Sequence, residues 1–595
     1  MSAEVPSTPR LSFSERTTGA PNVDSTKQNA PAPGPDPSLI LTGTRLAVVL
    51  AAMLLSLLLI ALDQTILSTA LPRIASDFNS FSLQGWIASS FLLTQTVFVL
   101  FYGQLLRIFP AKWILLSSIT IFEVGSLVCG VAQNVDQLIA GRTVSGVGAG
   151  GIFMAMYSII SQATRLEDRP RVFALFGAVF GLSSVIGPLM GGAFTDHVTW
   201  RWCFFINLPV GGVSAIAVLF ILKAAPPLGS DPTKRSMRDI LRQVMGLDFL
   251  GATLIAAAVT TLILALQWGG NTKAWNDKAV IICFVFAGVL SVAFGFWEVF
   301  LGDKAMTPTT IFGSVSVWAI VFAAFLTRFS LLLFSYYIPI FYQAVRHRSA
   351  TDSGIDILPF MLGVVITVLT SGQLVSRFGY YWPLMMCAPV FLALGSGLLY
   401  TLDTNTASPK LIGFQILAGI GTGLGMQTPL VAIQVEFRNN PKILGQAMSV
   451  VTFAQFLGGA LGVAVAEPVF SSELTKNLLK YAPDAPLEVV KQSPTAIYTA
   501  LPAELIPGVV KSYAEALKVV FILGVPVAGL ALISACFIKN IRMVRPGPPA
   551  GEPKAEGGLG RPSVSSMPPA AMMMSQRRLS ALSTGNGRGS FHVAR

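Results

Sequence analysis

The sequence predicts an all-α membrane protein with fourteen transmembrane helices. Three observations lead there. Between residues 46 and 538 lie fourteen separate apolar runs, and a helix needs about 20 mostly apolar residues to cross a bilayer. The composition is 53% hydrophobic and only 12% charged, outside the range of soluble domains. The nine tryptophans (86, 113, 200, 202, 268, 275, 297, 318 and 382) all fall at or near the ends of those runs, as interfacial anchoring requires.

Taken in order, residues 1–44 are rich in Pro, Ser, Thr and Ala with balanced charge and are expected to form a disordered cytoplasmic tail. The first apolar run is too long for a signal peptide core and should remain as the first span. The spans are read at about 46–70, 84–104, 113–132, 137–160, 172–193, 202–222, 247–267, 279–300, 316–340, 353–374, 382–400, 409–434, 445–467 and 516–538. They divide into a six-helix bundle (45–223), a loop with two extra helices (224–302) and a second six-helix bundle (303–539) with a long extracellular loop at 468–515. Residues 540–595 read as a disordered basic cytoplasmic tail. With the N-terminus inside, the short inner loops hold fourteen Lys/Arg and the short outer loops seven. That asymmetry puts both termini in the cytoplasm. The five cysteines lie in or beside apolar runs without metal-ligand spacing and read as small packing residues.

The chain repeats itself weakly. Gly103-Gln104-Leu105 is followed by Phe109 and Trp113, and Gly372-Gln373-Leu374 by Phe378 and Trp382. Gly146-x-Gly148-x-Gly150 is echoed, 275 residues later, by Gly421-x-Gly423-x-Gly425. Two homologous halves in parallel orientation are expected, with a substrate site near the midplane between them.

Function must reside in polar groups kept inside the bilayer. Asp63 near the end of span 1 and Arg142 near the start of span 4 come out at matching depths, about 8–10 Å from the outer surface at 1.5 Å rise per residue. A carboxylate whose charge state depends on such a neighbour can couple transport to protons; the plainer reading is a static pair. Glu123, central in span 3, could carry a proton, contact a cationic substrate, or sit neutral and hydrogen-bonded to a neighbouring helix. Arg328, central in span 9, could bind an anionic group, neutralise a carboxylate across the cavity, or snorkel to the interface. Gln427 and Gln455 are further cavity candidates, with helix–helix hydrogen bonds as the alternative. Gly187, Pro188, Gly191 and Gly192 in span 5 form a small-residue motif expected to pack the halves together.

Several classes are disfavoured. The glycines at 146–151 lie inside an apolar helix with no preceding strand, so they are not a dinucleotide loop. The chain has no Gly-x4-Gly-Lys-Ser/Thr phosphate cradle, and its three histidines stand apart. No cofactor, no metal and no enzymatic activity are therefore expected. The basic tail lacks the interleaved aromatics of nucleic-acid binders, so no nucleic-acid partner is expected either.

These motifs together resemble the major facilitator superfamily, specifically its fourteen-span drug:proton antiporter branch of the fungal toxin and multidrug efflux type, over about 46–538. Leu62-Asp63-x-Thr65-Ile66-x-x-x-Ala70-Leu71-Pro72 is similar to that branch's first-span signature. Arg142-x-x-x-Gly146-x-Gly148-x-Gly150 resembles the span-4 motif whose Arg is tied to proton coupling, and Gly187-Pro188-x-x-Gly191-Gly192 resembles the antiporter motif. The stretch from Trp200 to Pro209 and Ser353-Gly354-Ile355-Asp356-x-Leu358-Pro359 resemble the openings of spans 6 and 10. The loop between spans 2 and 3 departs from the pattern, with Arg107 in place of the Asp and Pro110 in place of the second Gly. Ser183 replaces the first Gly of the antiporter motif. The resemblance implies a major facilitator fold and proton-coupled efflux of small hydrophobic compounds by a monomer in the plasma membrane. Its partners would be the small-molecule substrate, protons and the lipid bilayer. The alternatives are a vacuolar-membrane or uptake transporter for basic amino acids or iron chelates, and a non-transporting sensor or scaffold.

Overall fold

The computed structural model describes residues 42–78, 84–227, 236–270, 273–492 and 497–543. The expected disordered tails fall outside the described residues except at their inner edges.

Fourteen helices are long and apolar enough to cross a membrane. They are α1 (Gly43–Asp77), α2 (Gln84–Ile108), α3 (Ala111–Val131), α4 (Val135–Ala163), α5 (Arg169–His197), α6 (Trp202–Ile221, interrupted at Ile206) and α7 (Phe249–Trp268). They continue as α8 (Lys278–Leu301), α9 (Val315–Arg346), α10 (Leu358–Phe378), α11 (Trp382–Tyr400), α12 (Ser408–Glu436, interrupted at Gln427), α13 (Pro441–Tyr481) and α14 (Ile506–Cys536, with a step at Leu523). In lipid each backbone N–H and C=O must be satisfied within its own helix, which is why apolar runs of this length become helices. Where they begin, polar side chains supply the missing acceptors. Asn134 accepts from the Gln137 N–H at 2.8 Å before α4, and Asp248 from the Gly251 N–H at 2.7 Å before α7.

Several helices run a turn or two past their expected bounds, and two depart furthest. The sequence reading ends span 13 at 467, whereas α13 continues to Tyr481. Span 14 is read from 516, whereas α14 begins at Ile506. Ser471, Leu474 and Leu478 are buried at spacings of three and four, so an amphipathic extension continues a span whose hydropathy has already fallen. The expected loop 468–515 is correspondingly shorter and carries two further short helices, Leu487–Gln492 and Ile497–Ala500.

Helices α1–α6 pack on one another, as do α9–α14, and the two groups meet along α5 against α10 and α2 against α13. Helices α7 and α8 pair outside them, with α7 lying on the α2–α13 seam. Burial follows this plan: 83% of the apolar windows of α4 and α12 is buried inside the protein, against 17% for α8. Helices α4 and α12 are the inner helices, and α8 presents its Phe and Val side chains to the surroundings.

Glycine contacts set the register of the repeat. A Cβ on Gly148 would meet the Phe122 nitrogen at 2.5 Å and the Ser118 carbonyl of α3 at 2.6 Å. A Cβ on Gly421 would meet the Leu392 nitrogen at 2.4 Å and the Ala388 carbonyl of α11 at 2.9 Å. Gly146 likewise approaches Phe91 and Gln95, and Gly419 approaches Phe360 and Val364. Equivalent positions in α4 and α12 are therefore 273 residues apart, not the 275 read from the Gly-x-Gly-x-Gly echo. Spaced glycines recur on both faces of the helix, so sequence alone admits a two-residue slip that backbone contact does not.

Side-chain hydrogen bonds between the two groups gather at one end. Arg107 Nη1 donates to Gln446 Oε1 at 3.1 Å, and Arg169 Nη1 donates to Gln434 Oε1 at 2.9 Å. Ser376 Oγ donates to the Glu167 carbonyl at 2.7 Å. This is the end of the α2–α3, α4–α5, α10–α11 and α12–α13 turns.

Candidate functional site

The close approach of α4 to its neighbours lets a long cationic side chain sit inside the bundle. Arg142 Nη1 pairs with Asp63 Oδ2 at 2.5 Å, with side chains only 2% and 1% exposed. Arg142 Nε donates to the Ile87 carbonyl at 3.2 Å, and the guanidinium lies 4.3 Å from the centre of the Phe91 ring. The other carboxylate oxygen accepts from Asn207 Nδ2 at 3.2 Å, and that nitrogen also reaches Ser126 Oγ at 3.1 Å. The matched depths expected for Asp63 and Arg142 thus end in direct contact. Charge-assisted bonds of this kind are the strong ones. The sequence reading quoted Asn207 as part of the span-6 opening but gave it no role. The available signal was a buried amide in an otherwise aromatic and apolar stretch.

Glu123 lies one turn before Ser126 on α3, and Gly211 one turn after Asn207 on α6. The carboxylate fills the place of a side chain at Gly211, where a Cβ would lie 1.7 Å from Glu123 Oε1. Neither Glu123 oxygen has a hydrogen-bond partner among the described residues, so the expected hydrogen bond to a neighbouring helix is not made. Asp63, on α1, thus reaches the α3–α6 seam through Asn207, and Glu123 lies on that seam one turn from the Asn207–Ser126 bond.

Arg328 sits between the helix groups. Its guanidinium lies 5.6 Å from the Phe180 ring of α5 and 5.8 Å from the Phe456 ring of α13. Of the readings left open for it, neutralising a carboxylate is not met: none of the ion pairs among the described residues includes Arg328, and its buried Nε has no hydrogen-bond partner. Gln455 Nε2 donates at 2.8 Å to the Met426 carbonyl, at the interruption of α12. It thereby satisfies a group that the break sets free, which is the helix–helix role foreseen as the alternative. Gln427, at the interruption itself, has an unpartnered Oε1.

The small-residue motif of α5 is placed differently from expectation. A Cβ on Gly187 would meet Thr65 Oγ1 of α1 at 2.1 Å, within the first helix group, and Gly192 has open space around it. Gly191 is buried, and its carbonyl accepts from Thr195 at 2.6 Å; Pro188 lies inside a continuous α5. Contact between the groups is made instead by Gly177 and Gly181, which approach Val368 and Val365 of α10. Six residues at 100° each turn Gly187 well away from the Gly181 face. All five cysteines are unpaired, and no group of three metal-ligating side chains gathers among the described residues.

Charged groups held inside a bundle of membrane-length helices, with a seam between two matched halves, define a multi-pass membrane transporter. The chain belongs to the major facilitator superfamily, whose family model matches residues 53–463. It is 41% identical over 464 residues to the MFS-type transporter phomT of Diaporthe leptostromiformis, covering 78% of this chain and 76% of that protein. It is 38% identical to the MFS-type efflux pump MFS1 of Arthroderma benhamiae, over 87% of this chain and 96% of that one. The efflux pump roqT of Penicillium rubens is 40% identical, over 81% and 88% respectively. Among solved structures, the human organic anion transporter MFSD10 aligns with a TM-score of 0.53 at 14% identity, over 84% of this chain and 100% of that one. That likeness concerns the fold.

Proposed function

We propose that the protein exports small hydrophobic organic compounds (toxins, secondary metabolites or drugs) in exchange for protons, by alternating access between its two helix groups. Transport is the activity assigned to it, with no enzymatic step. The names of its relatives support export, and the buried Asp63–Arg142 pair carries the coupling. Protonating Asp63 removes one charge and leaves Arg142 without its counterion. The paired and protonated forms therefore favour different arrangements of α1 against α4, and a proton entering from outside can drive the return step. Glu123, on the α3–α6 seam that Asp63 reaches through Asn207, is the second proton site.

The charge asymmetry of the loops supports cytoplasmic termini. On that orientation the Arg107–Gln446 and Arg169–Gln434 bonds latch the two groups together at the cytoplasmic end, and alternating access requires these bonds to break when that end opens. The plasma membrane and a monomeric state complete the reading. Reconstituted vesicles carrying an internal pH dye test it. Adding an exported compound should move protons, and collapsing the pH gradient should stop accumulation. Transport that continues unchanged without the gradient refutes the coupling, and a tagged protein found on the vacuole overturns the plasma-membrane assignment.

A further inference from the structure

Arg142 and Arg328 both lie within the bundle, Arg142 buried and Arg328 half-buried with its Nε enclosed, and their surroundings differ. Arg142 has a carboxylate, a backbone carbonyl and a ring face. Among the described residues Arg328 has two ring faces, no ion-pair partner and no hydrogen-bond acceptor at its Nε. A guanidinium at this depth is costly without an anion or hydrogen-bond acceptors, and cation–π contact at 5.6–5.8 Å offsets only part of that cost. It does not snorkel outward. Arg328 stands fourteen residues into the 32-residue α9. Its stem lies against α13, where a Cβ on Gly459 would come within 3.2 Å of Arg328 Cγ. The absent side chain at Gly459 lets the guanidinium reach along α13 toward the seam.

What surrounds it there is aromatic and comes from both halves. Phe153 of α4 stacks on Phe180 of α5 at 6.0 Å and 19°, and meets Phe456 of α13 edge-on at 5.2 Å. Tyr157, one turn along α4, lies 6.2 Å from Phe153 and extends the cluster. No Asp or Glu faces the group from α4, α5 or α13 within ion-pair distance among the described residues.

We infer that Arg328, framed by Phe153, Phe180 and Phe456, is the receptor for a negatively charged group on a flat aromatic substrate, so that aromatic acids are the compounds this transporter takes. The inference rests on the export reading and names its substrate class. The guanidinium supplies a planar, bidentate donor set matched to a carboxylate. The rings supply a face on which the ligand's own ring stacks. Because Phe180 and Phe456 belong to different helix groups, such a ligand is held by both and must be released when they part.

The test uses the full-length protein in lipid nanodiscs and three fluorescent probes of one shape: 9-anthracenecarboxylate, its methyl ester and 9-(aminomethyl)anthracene. The acid should bind about tenfold or more tighter than the ester, and the amine weakest. Arg328→Gln should bring the acid to the level of the ester and leave the ester unchanged. Arg328→Lys should retain part of the preference, since an ammonium is a point charge without the planar fork. Phe456→Leu should weaken acid and ester alike. Thermal unfolding of each variant checks that it is folded. No binding of the acid, equal affinity for acid and ester, preference for the amine, or loss of both ligands in a folded Arg328→Gln would overturn the inference. Proton exchange driven by the ester in vesicles separates the two readings. If it persists while the acid preference fails, export stands and the substrate class falls. If no probe moves protons while the acid preference holds, proton-coupled exchange falls and the substrate class stands.

Discussion

Where α4 crosses α1, Arg142 donates to the carboxylate of Asp63. At the equivalent crossing of α12 with α9, 273 residues along, Gln415 Nε2 donates to the Tyr342 hydroxyl at 2.8 Å. Both sites are buried. Both inner helices approach their neighbours through glycines in the same register, Gly148 and Gly421 among them. One scaffold thus holds a charged pair in the first half and a neutral pair in the second. The neutral half demonstrates that this packing does not need a salt bridge. A buried ion pair is also weak as a source of stability, because desolvation cancels much of the attraction. The charge in the first half calls for another reason, and the proton coupling proposed above would supply one.

Four changes would break or sharpen that comparison. The largest effect is expected from Arg142→Gln, which copies the second half into the first while leaving Asp63 charged and unpaired. It should destabilise the protein by about 3–5 kcal/mol, read as a lower thermal midpoint in detergent. Adding Asp63→Asn should recover most of that stability, and proton-linked transport should stay absent in the double variant. Next comes Asn207→Leu, which strips one donor from the Asp63 carboxylate. A loss of about 1.5–3 kcal/mol is expected, with proton exchange weakened in the vesicle assay. Third, Gly148→Ala and Gly421→Ala should each cost about 1–3 kcal/mol through forced separation of helix backbones. Matching losses in the two halves would support the 273-residue register, and a loss in one alone would break it. The smallest effect is expected from the double change Gln415→Leu with Tyr342→Phe. Removing both partners of a neutral bond is nearly free, so stability should shift by less than about 1 kcal/mol and transport should be retained.

The legible parts of this molecule are those governed by local rules. Hydropathy found every spanning helix, missing mainly the polar extension at Ser471–Leu478 and the early start at Ile506, where burial comes from neighbours rather than from composition. Helix rise placed Asp63 and Arg142 at one depth, and they touch. The partners of the other polar groups were not legible. Glu123 was open to a hydrogen bond that is not made, and Arg328 to a carboxylate that is not there. The inter-half role read into Gly187 falls to Gly177 and Gly181 instead. Spans that are apolar all round carry too little periodicity to tell which face of a helix meets which neighbour.

By itself the amino-acid sequence determined a fourteen-helix membrane protein, because in lipid each backbone polar group must be satisfied within its own helix and length alone decides what can cross. Only the tertiary structure decided which charge inside the bundle is compensated. Arg142 meets its counterion inside one helix group, while Arg328 meets aromatic rings from two. That outcome depends on helix rotation and on where backbones approach closely enough to bring distant side chains together, and both are set by contacts between helices rather than along them.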